Sequence, residues 1–300
     1  GTILFEEVAS IGQPNQRIII IPDEMLTTLP FGTLRTKTDQ GMKYLSEVYV
    51  LTEFQSVTAL NLYRTVADDG SASRDVLVLA DPDLSGFQYV EGGSDEENFS
   101  LMRAVEEDGR PLFCRLPRTR ELANSVAKAF EGSATCLIGR NASERSLKEL
   151  TLSEYKYIIF ATHGILGGQA QLSDQPALML ASSGHDHDED GILRAGEVLD
   201  YELNCELVSL TACHTGEGEL VPGEGVMSLF RSFQHAGARN VLATLWAVSE
   251  EASVAFNECV FGYLKSGDSV LNSYQLSIKE LRDKGYDNPF YWGAFVLVGI

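Results

Sequence analysis

Tyr157-Ile-Ile-Phe-Ala-Thr162, running into His163-Gly164, and Leu207-Val-Ser-Leu-Thr211, running into Ala212-Cys213-His214, decide the fold of this chain. Each is a short, nearly unbroken apolar run that ends on a chemically reactive side chain. Runs of this kind fit strands covered on both faces, as in a mostly parallel sheet. Val76-Leu-Val-Leu-Ala80, Thr135-Cys-Leu-Ile138, Val241-Leu-Ala-Thr-Leu245 and Phe295-Val-Leu-Val298 read the same way. Between them, residues 120–131, 143–150, 225–236 and 250–265 carry apolar side chains at helical spacing. The alternation predicts an α/β fold, a three-layer α/β/α sandwich with a mostly parallel central sheet over residues 71–300.

Residues 1–70 read as an accessory region: a strand at Arg17-Ile-Ile-Ile-Ile21, a turn at Pro22-Asp23-Glu24 and an amphipathic stretch from Ser56 to Arg64. So short a segment buries little surface by itself and is expected to pack on the sheet. Residues 91–98 and 182–191 read as exposed loops, and no internal repeat is visible.

Composition narrows the function. The 300 residues are 44% hydrophobic and carry a formal net charge of −20. That charge repels phosphates and no basic cluster offsets it, so nucleic-acid contact by this domain is not expected. Cys114, Cys136, Cys205, Cys213 and Cys259 are odd in number and widely spaced, which favours neither a disulfide framework nor a zinc ribbon. A reducing cytoplasm is expected. No apolar run reaches the roughly 18 residues of a membrane span, and the amino terminus lacks a signal-peptide pattern. The chain begins with Gly1, as an excised piece of a longer protein would.

His163 and Cys213 both sit where an apolar strand ends. If the two strands are parallel neighbours, their carboxyl ends open onto one crevice, the place where open α/β sheets hold ligands. A thiol there needs an imidazole, because the thiolate is the attacking species and an ordinary thiol pKa of about 8.5 leaves little of it at neutral pH. His163 can take that proton and return it to a leaving amine. The backbone N–H groups of Gly164 and Cys213 are candidates for an oxyanion hole. The competing reading makes Cys213 a small buried apolar residue and His163 a strand-end hydrogen-bonding cap.

Several motifs together resemble the CHAT domains, caspase-like cysteine proteases related to separases and often joined to tetratricopeptide repeats. They are Ile18-Ile-Ile-Ile-Pro-Asp-Glu24 with Leu29-Pro-Phe-Gly32, Ala161-Thr-His-Gly164, Asp190-Gly-Ile-Leu-Arg-Ala-Gly-Glu197 and Leu210-Thr-Ala-Cys-His-Thr-Gly216. Gly223-Glu-Gly-Val-Met227, Ala236-Gly-Ala238, Leu245-Trp-Ala-Val248 and Phe290-Tyr-Trp-Gly293 complete the set. The resemblance implies a caspase-like sheet, His163 and Cys213 as the catalytic dyad, and hydrolysis of a protein substrate through an acyl-enzyme. It also implies a regulatory repeat region or activator protein that switches the domain on. Two rivals stand beside the endopeptidase: a binding or scaffold module of the same fold, and a thiol acyltransferase or esterase using the same dyad.

For substrate binding the candidates are Thr211, Trp246 and Glu250. Thr211 stands two residues before the cysteine, where related proteases that cut after Arg or Lys often carry an aspartate. Trp246 matches the place where the family builds a wall of the substrate groove. Glu250 and Glu251 offer a negative pocket floor, or they are simply acidic residues at a helix amino terminus. The residue before the cut bond is accordingly basic or apolar. Asp186, Asp188, Asp190 and Glu197 fit the calcium-loop pattern D-x-D-x-D-G-x5-E, although no helix is predicted to enter the loop. The alternatives are a solvated acidic loop and a self-cleaved activation segment, and His185 and His187 add a weak transition-metal signal. Phe230, Phe233, Phe256, Phe261 and Tyr263 have the spacing of core residues.

Overall fold

The apolar runs pair because each can bury side chains on both faces of one sheet. In the computed structural model, which describes residues 13–65, 72–87, 89–90, 113–165, 173–182, 189–211 and 225–300, they do so in an eight-stranded sheet. In chain order the strands are β1 (Arg17–Ile20), β2 (Arg35–Thr38), β3 (Gly41–Tyr44), β4 (Val50–Glu53), β5 (Arg74–Pro82), β6 (Tyr89–Val90), β7 (Phe113–Cys114) and β8 (Ala134–Gly139). They continue with β9 (Tyr155–Ala161), β10 (Gly164–Ile165), β11 (Ala177–Met179), β12 (Ile192–Arg194), β13 (Leu207–Leu210), β14 (Asn240–Thr244) and β15 (Phe295–Gly299). The helices are α1 (Leu45–Val48), α2 (Val57–Thr65), α3 (Pro117–Ala129), α4 (Glu144–Lys148), α5 (Ala195–Val198), α6 (Gly225–His235), α7 (Glu250–Lys265), α8 (Val270–Asp283) and α9 (Pro289–Trp292).

The large sheet runs β1-β4-β15-β14-β13-β9-β5-β8. Its pairings are parallel except β14 with β15. Period-two alternation divides its side chains between two cores. Tyr157, Ile159 and Ala161 of β9 join Phe256, Phe261 and Leu281 of α7 and α8 on one face. Ile158 and Phe160 join Phe230 and Phe233 of α6 on the other. Phe230, Phe233, Phe256 and Phe261 are each at most 1% exposed, and each such burial is worth roughly 1.5–3 kcal/mol. Tyr263 is only partly buried and donates its hydroxyl to Glu280 at 2.7 Å.

Local chemistry sets the helix starts. Ser249 and Ser269 accept the N–H groups of Ala252 and Asn272 at the first turns of α7 and α8, and Pro117 and Pro289 open α3 and α9, where a missing N–H costs nothing. Gly237 follows α6 at φ +117°, and a Cβ there would lie 1.9 Å from the Leu203 carbonyl oxygen.

The region before residue 70 contributes β1 and β4 to the edge of this same sheet, with Glu53 of β4 paired to Val298 of β15. The β2–β3 hairpin and α1 lie over that edge: Tyr44 meets the Trp292 ring edge-on at 4.9 Å, and Arg282 pairs with Glu47 at 3.1 Å. At the far end of β9 the chain turns into a small antiparallel sheet, β10-β11-β12, with its own core of Leu84, Phe113, Ile165, Ala177, Met179 and Ile192. No helix among the described residues is long and apolar enough to cross a membrane.

Candidate active site

The carboxyl ends of β5, β9, β13 and β14 lie side by side, and His163, Thr211 and Trp246 follow three of these strands. β9 and β13 are parallel neighbours whose paired residues, Leu207 with Tyr157 through Leu210 with Phe160, differ by 50 in number throughout.

His163 lies two residues past the end of β9, only 1% exposed. Its carbonyl accepts the Met179 N–H at 2.8 Å, and its ring lies 5.5 Å from that of Phe113. The preceding Thr162 hydroxyl donates to the Met179 carbonyl, so the residue before the imidazole is tied to β11. Because the His163 carbonyl points toward β11, alternation along an antiparallel pair turns the N–H of Gly164 the other way. Thr211 ends β13. Its N–H donates to the Phe160 carbonyl at 3.0 Å, and its hydroxyl is buried with no hydrogen-bond partner among the described residues. Cys213 lies outside the described residues.

Trp246 follows β14. Its indole N–H donates to the Phe290 carbonyl at 2.9 Å, and the two rings stand 6.4 Å apart. Phe290 is 42% exposed, so this aromatic pair borders solvent. Glu250 lies in the first turn of α7, and its carboxylate accepts the Thr119 N–H at the start of α3 at 3.2 Å. Glu251 reaches Arg118 at 3.8 Å. Both carboxylates thus sit at helix amino termini, where the exposed N–H groups favour negative charge.

Of the acidic loop, Asp190 and Glu197 are described, whereas His185, Asp186, His187 and Asp188 lie outside the described residues. Arg194 grips Asp190 with two contacts of 3.2 and 2.7 Å and also reaches Glu197 at 3.5 Å. Glu197 additionally accepts the Arg194 backbone N–H at 2.8 Å. The neighbouring Gly191 N–H donates to Glu144 at 2.8 Å. Glu144 is 1% exposed, and its carboxyl is pushed up to about 7, mainly by burial, with Glu197 and Asp190 adding to the rise. A cation at Asp190 and Glu197 would have to displace the guanidinium.

One group at the crevice escaped the reading of the sequence. Asp81 is the penultimate residue of β5, beside β9, in a left-handed backbone conformation, φ +43°, that non-glycine residues seldom adopt. Its buried carboxylate takes two hydrogen bonds of 3.1 Å from Arg115 and one of 2.8 Å from Arg120, while its N–H donates to the Thr119 hydroxyl at 2.9 Å. Asp81 directly follows the apolar run Val76–Ala80, much as His163 follows its own run, and that was the available signal. The arginines come from a distant segment that nothing in the sequence connects to it.

Three other thiols are held inert. Burial pushes Cys205 up to about 12 and Cys259 up to about 11, and raises Cys136 as well.

Comparison with known proteins agrees with this architecture. The CHAT domain family model matches residues 2–300. Human tetratricopeptide repeat protein 28 is 26% identical over 99% of the chain, and its mouse counterpart 25%. The chain spans 12% of the length of these curated relatives. Among solved structures, the Arg-specific cysteine proteinase gingipain R superposes with a TM-score of 0.56 at 8% identity, covering 98% of this chain and 64% of that one. Separase in the Saccharomyces cerevisiae separase–securin complex gives 0.47 at 14% identity, over 91% of this chain and 15% of that one. The gingipain likeness shows a caspase-like fold.

Proposed function

This chain belongs to the CHAT domain family, and from that premise we propose that it is a cysteine endopeptidase with Cys213 as nucleophile and His163 as base. The observation that carries the reading is the register of β9 and β13. Their paired residues differ by 50, and His163 and Cys213 differ by the same 50. The proposal extends that register two or three residues past the strand ends, where it would set thiol and imidazole at one level on adjacent strands.

The chemistry follows. His163 takes the Cys213 proton, and the thiolate attacks the carbonyl carbon of the substrate peptide. The oxyanion that forms accepts N–H groups from Gly164 and Cys213, the former directed away from β11. The imidazolium then protonates the leaving amine, and water hydrolyses the thioester with His163 again as base. Trp246 with Phe290 forms one groove wall. The engagement of Glu250 by Thr119 and of Glu251 by Arg118 supports an apolar residue before the cut bond. The tetratricopeptide proteins among its relatives support a repeat region, in the same polypeptide or a partner, as the regulator.

The test is cleavage of a proteome-derived peptide library by the wild type, Cys213→Ala and His163→Ala, with each cut mapped. Cuts lost in both variants are expected, and cuts that persist in Cys213→Ala refute the proposal. If the isolated chain is latent, a thiol-reactive probe mapped residue by residue must label Cys213 before Cys136, Cys205 and Cys259. Equal or slower labelling favours the scaffold reading.

A further inference from the structure

Where the layer of residues 30–49 covers the β4–β15 edge of the sheet, a cavity of about 30 Å³ lies between Ser46, Tyr49, Glu53, Tyr274 and Trp292. Water needs roughly 10–15 Å³ of such space, so there is room for about two molecules. Glu53 is 5% exposed, and its backbone is fixed on both sides by pairing with Ile20 and Val298, so its side chain starts from a position buried within the sheet. Glu53 Oε2 and Ser46 Oγ are both buried with no hydrogen-bond partner among the described residues. A buried carboxyl and a buried hydroxyl on one cavity, on opposite sides of a layer contact, each cost free energy unless something polar joins them.

We propose that this cavity binds one or two water molecules that join a neutral Glu53 carboxyl on the sheet to the Ser46 hydroxyl of the overlying layer. A neutral acid can donate to water and the water can in turn meet Ser46, which satisfies both ends. An ionised carboxylate would need a cation, and among the described residues no Lys, Arg or His lines the cavity. Tyr49 and Tyr274 are its other titratable residues. Tyr274 donates its hydroxyl to the Phe295 carbonyl at 2.8 Å, and its pKa is raised by burial and by Glu53. Arg282 stacks 5.1 Å from the Trp292 ring but is paired with Glu47. Burial accordingly pushes Glu53 up to about 8.

The site has a reach beyond itself. Trp292 on its wall belongs to α9, whose Phe290 carbonyl holds the indole of Trp246. These are the two tryptophans of the chain. Ionising Glu53 at alkaline pH strains the wall that carries both.

The test has two arms on the intact chain. A crystal structure near pH 6.5 is expected to show water within hydrogen-bond distance of both Glu53 Oε2 and Ser46 Oγ; a dry cavity or a metal ion there overturns the proposal. In a Trp246→Phe background, Trp292 emission is expected to pass through a transition near pH 8 that is absent from the additional Glu53→Gln variant. A flat profile, or the same transition in both proteins, overturns it. Neither arm depends on peptide cleavage.

Discussion

Replacing Glu53 by glutamine removes one ionisable group from the sheet edge while keeping its shape, and its effect on stability should grow with pH. Burial raises the folded-state pKa from 4.5 to about 8, with no hydrogen bond or charge partner compensating. Between those values the folded protein holds a proton that the unfolded chain has released, so unfolding is favoured as pH rises. The stability linked to this proton is complete below the unfolded value near 4.5 and is lost as pH climbs to about 8. Each pKa unit is worth about 1.4 kcal/mol, so at pH 7, about 2.5 units above the unfolded value, the wild type has lost roughly 3 kcal/mol. The loss levels off at roughly 5 kcal/mol above pH 8. Glutamine pays none of it. Urea denaturation of both proteins at pH 5, 7 and 9 reads the difference directly, with unchanged slopes showing that the unfolded reference is shared. The variant is expected to be nearly equal to wild type at pH 5 and clearly more stable at pH 7 and 9. A gap that does not widen with pH, or a variant less stable at pH 7, refutes the reasoning. The global effect of the −20 charge is almost the same in both proteins and cancels.

Three other outcomes are expected. Asp81→Asn leaves Arg115 and Arg120 without their buried carboxylate, and denaturant titration should show a loss of about 2 kcal/mol, moderated because both arginines are half-exposed. An unchanged midpoint would mean that solvent replaces those bonds in full. Gly237→Ala forces a Cβ to within 1.9 Å of the Leu203 carbonyl at φ +117°, whereas Gly267→Ala, at φ +94°, meets nothing within 4 Å. The first should cost at least about 3 kcal/mol or prevent folding, and the second about 1 kcal/mol, with equal losses counting against the steric argument. Arg194→Gln frees Asp190 and Glu197 from their guanidinium, so millimolar calcium should raise the melting temperature of the variant more than that of the wild type. Equal shifts would show that Arg194 does not compete for these carboxylates.

The local features of the site were legible because they depend on short stretches. The apolar runs before His163 and Cys213 marked buried strands, and their alternation with helical periodicity pointed to a parallel sheet. Helix α7 appeared with its bounds at 250–265, set by Ser249 at its start. Helix α8 did not, because Ser273 and Ser277 stand on its buried face and weaken the apolar period. The tertiary structure alone decided that β1 and β4 extend the same sheet, that β15 lies between β14 and β4, antiparallel to the first and parallel to the second, and that β9 and β13 share a register offset of 50. It also brought Arg115 and Arg120 to Asp81 and sealed Glu53 beneath the overlying layer. The physical reason is the range of the interactions. Periodicity and capping act over one or two turns of chain, which the sequence displays. Strand order, ion pairing and the loss of solvent around a carboxyl depend on segments up to hundreds of residues apart, and only the folded chain brings these into contact.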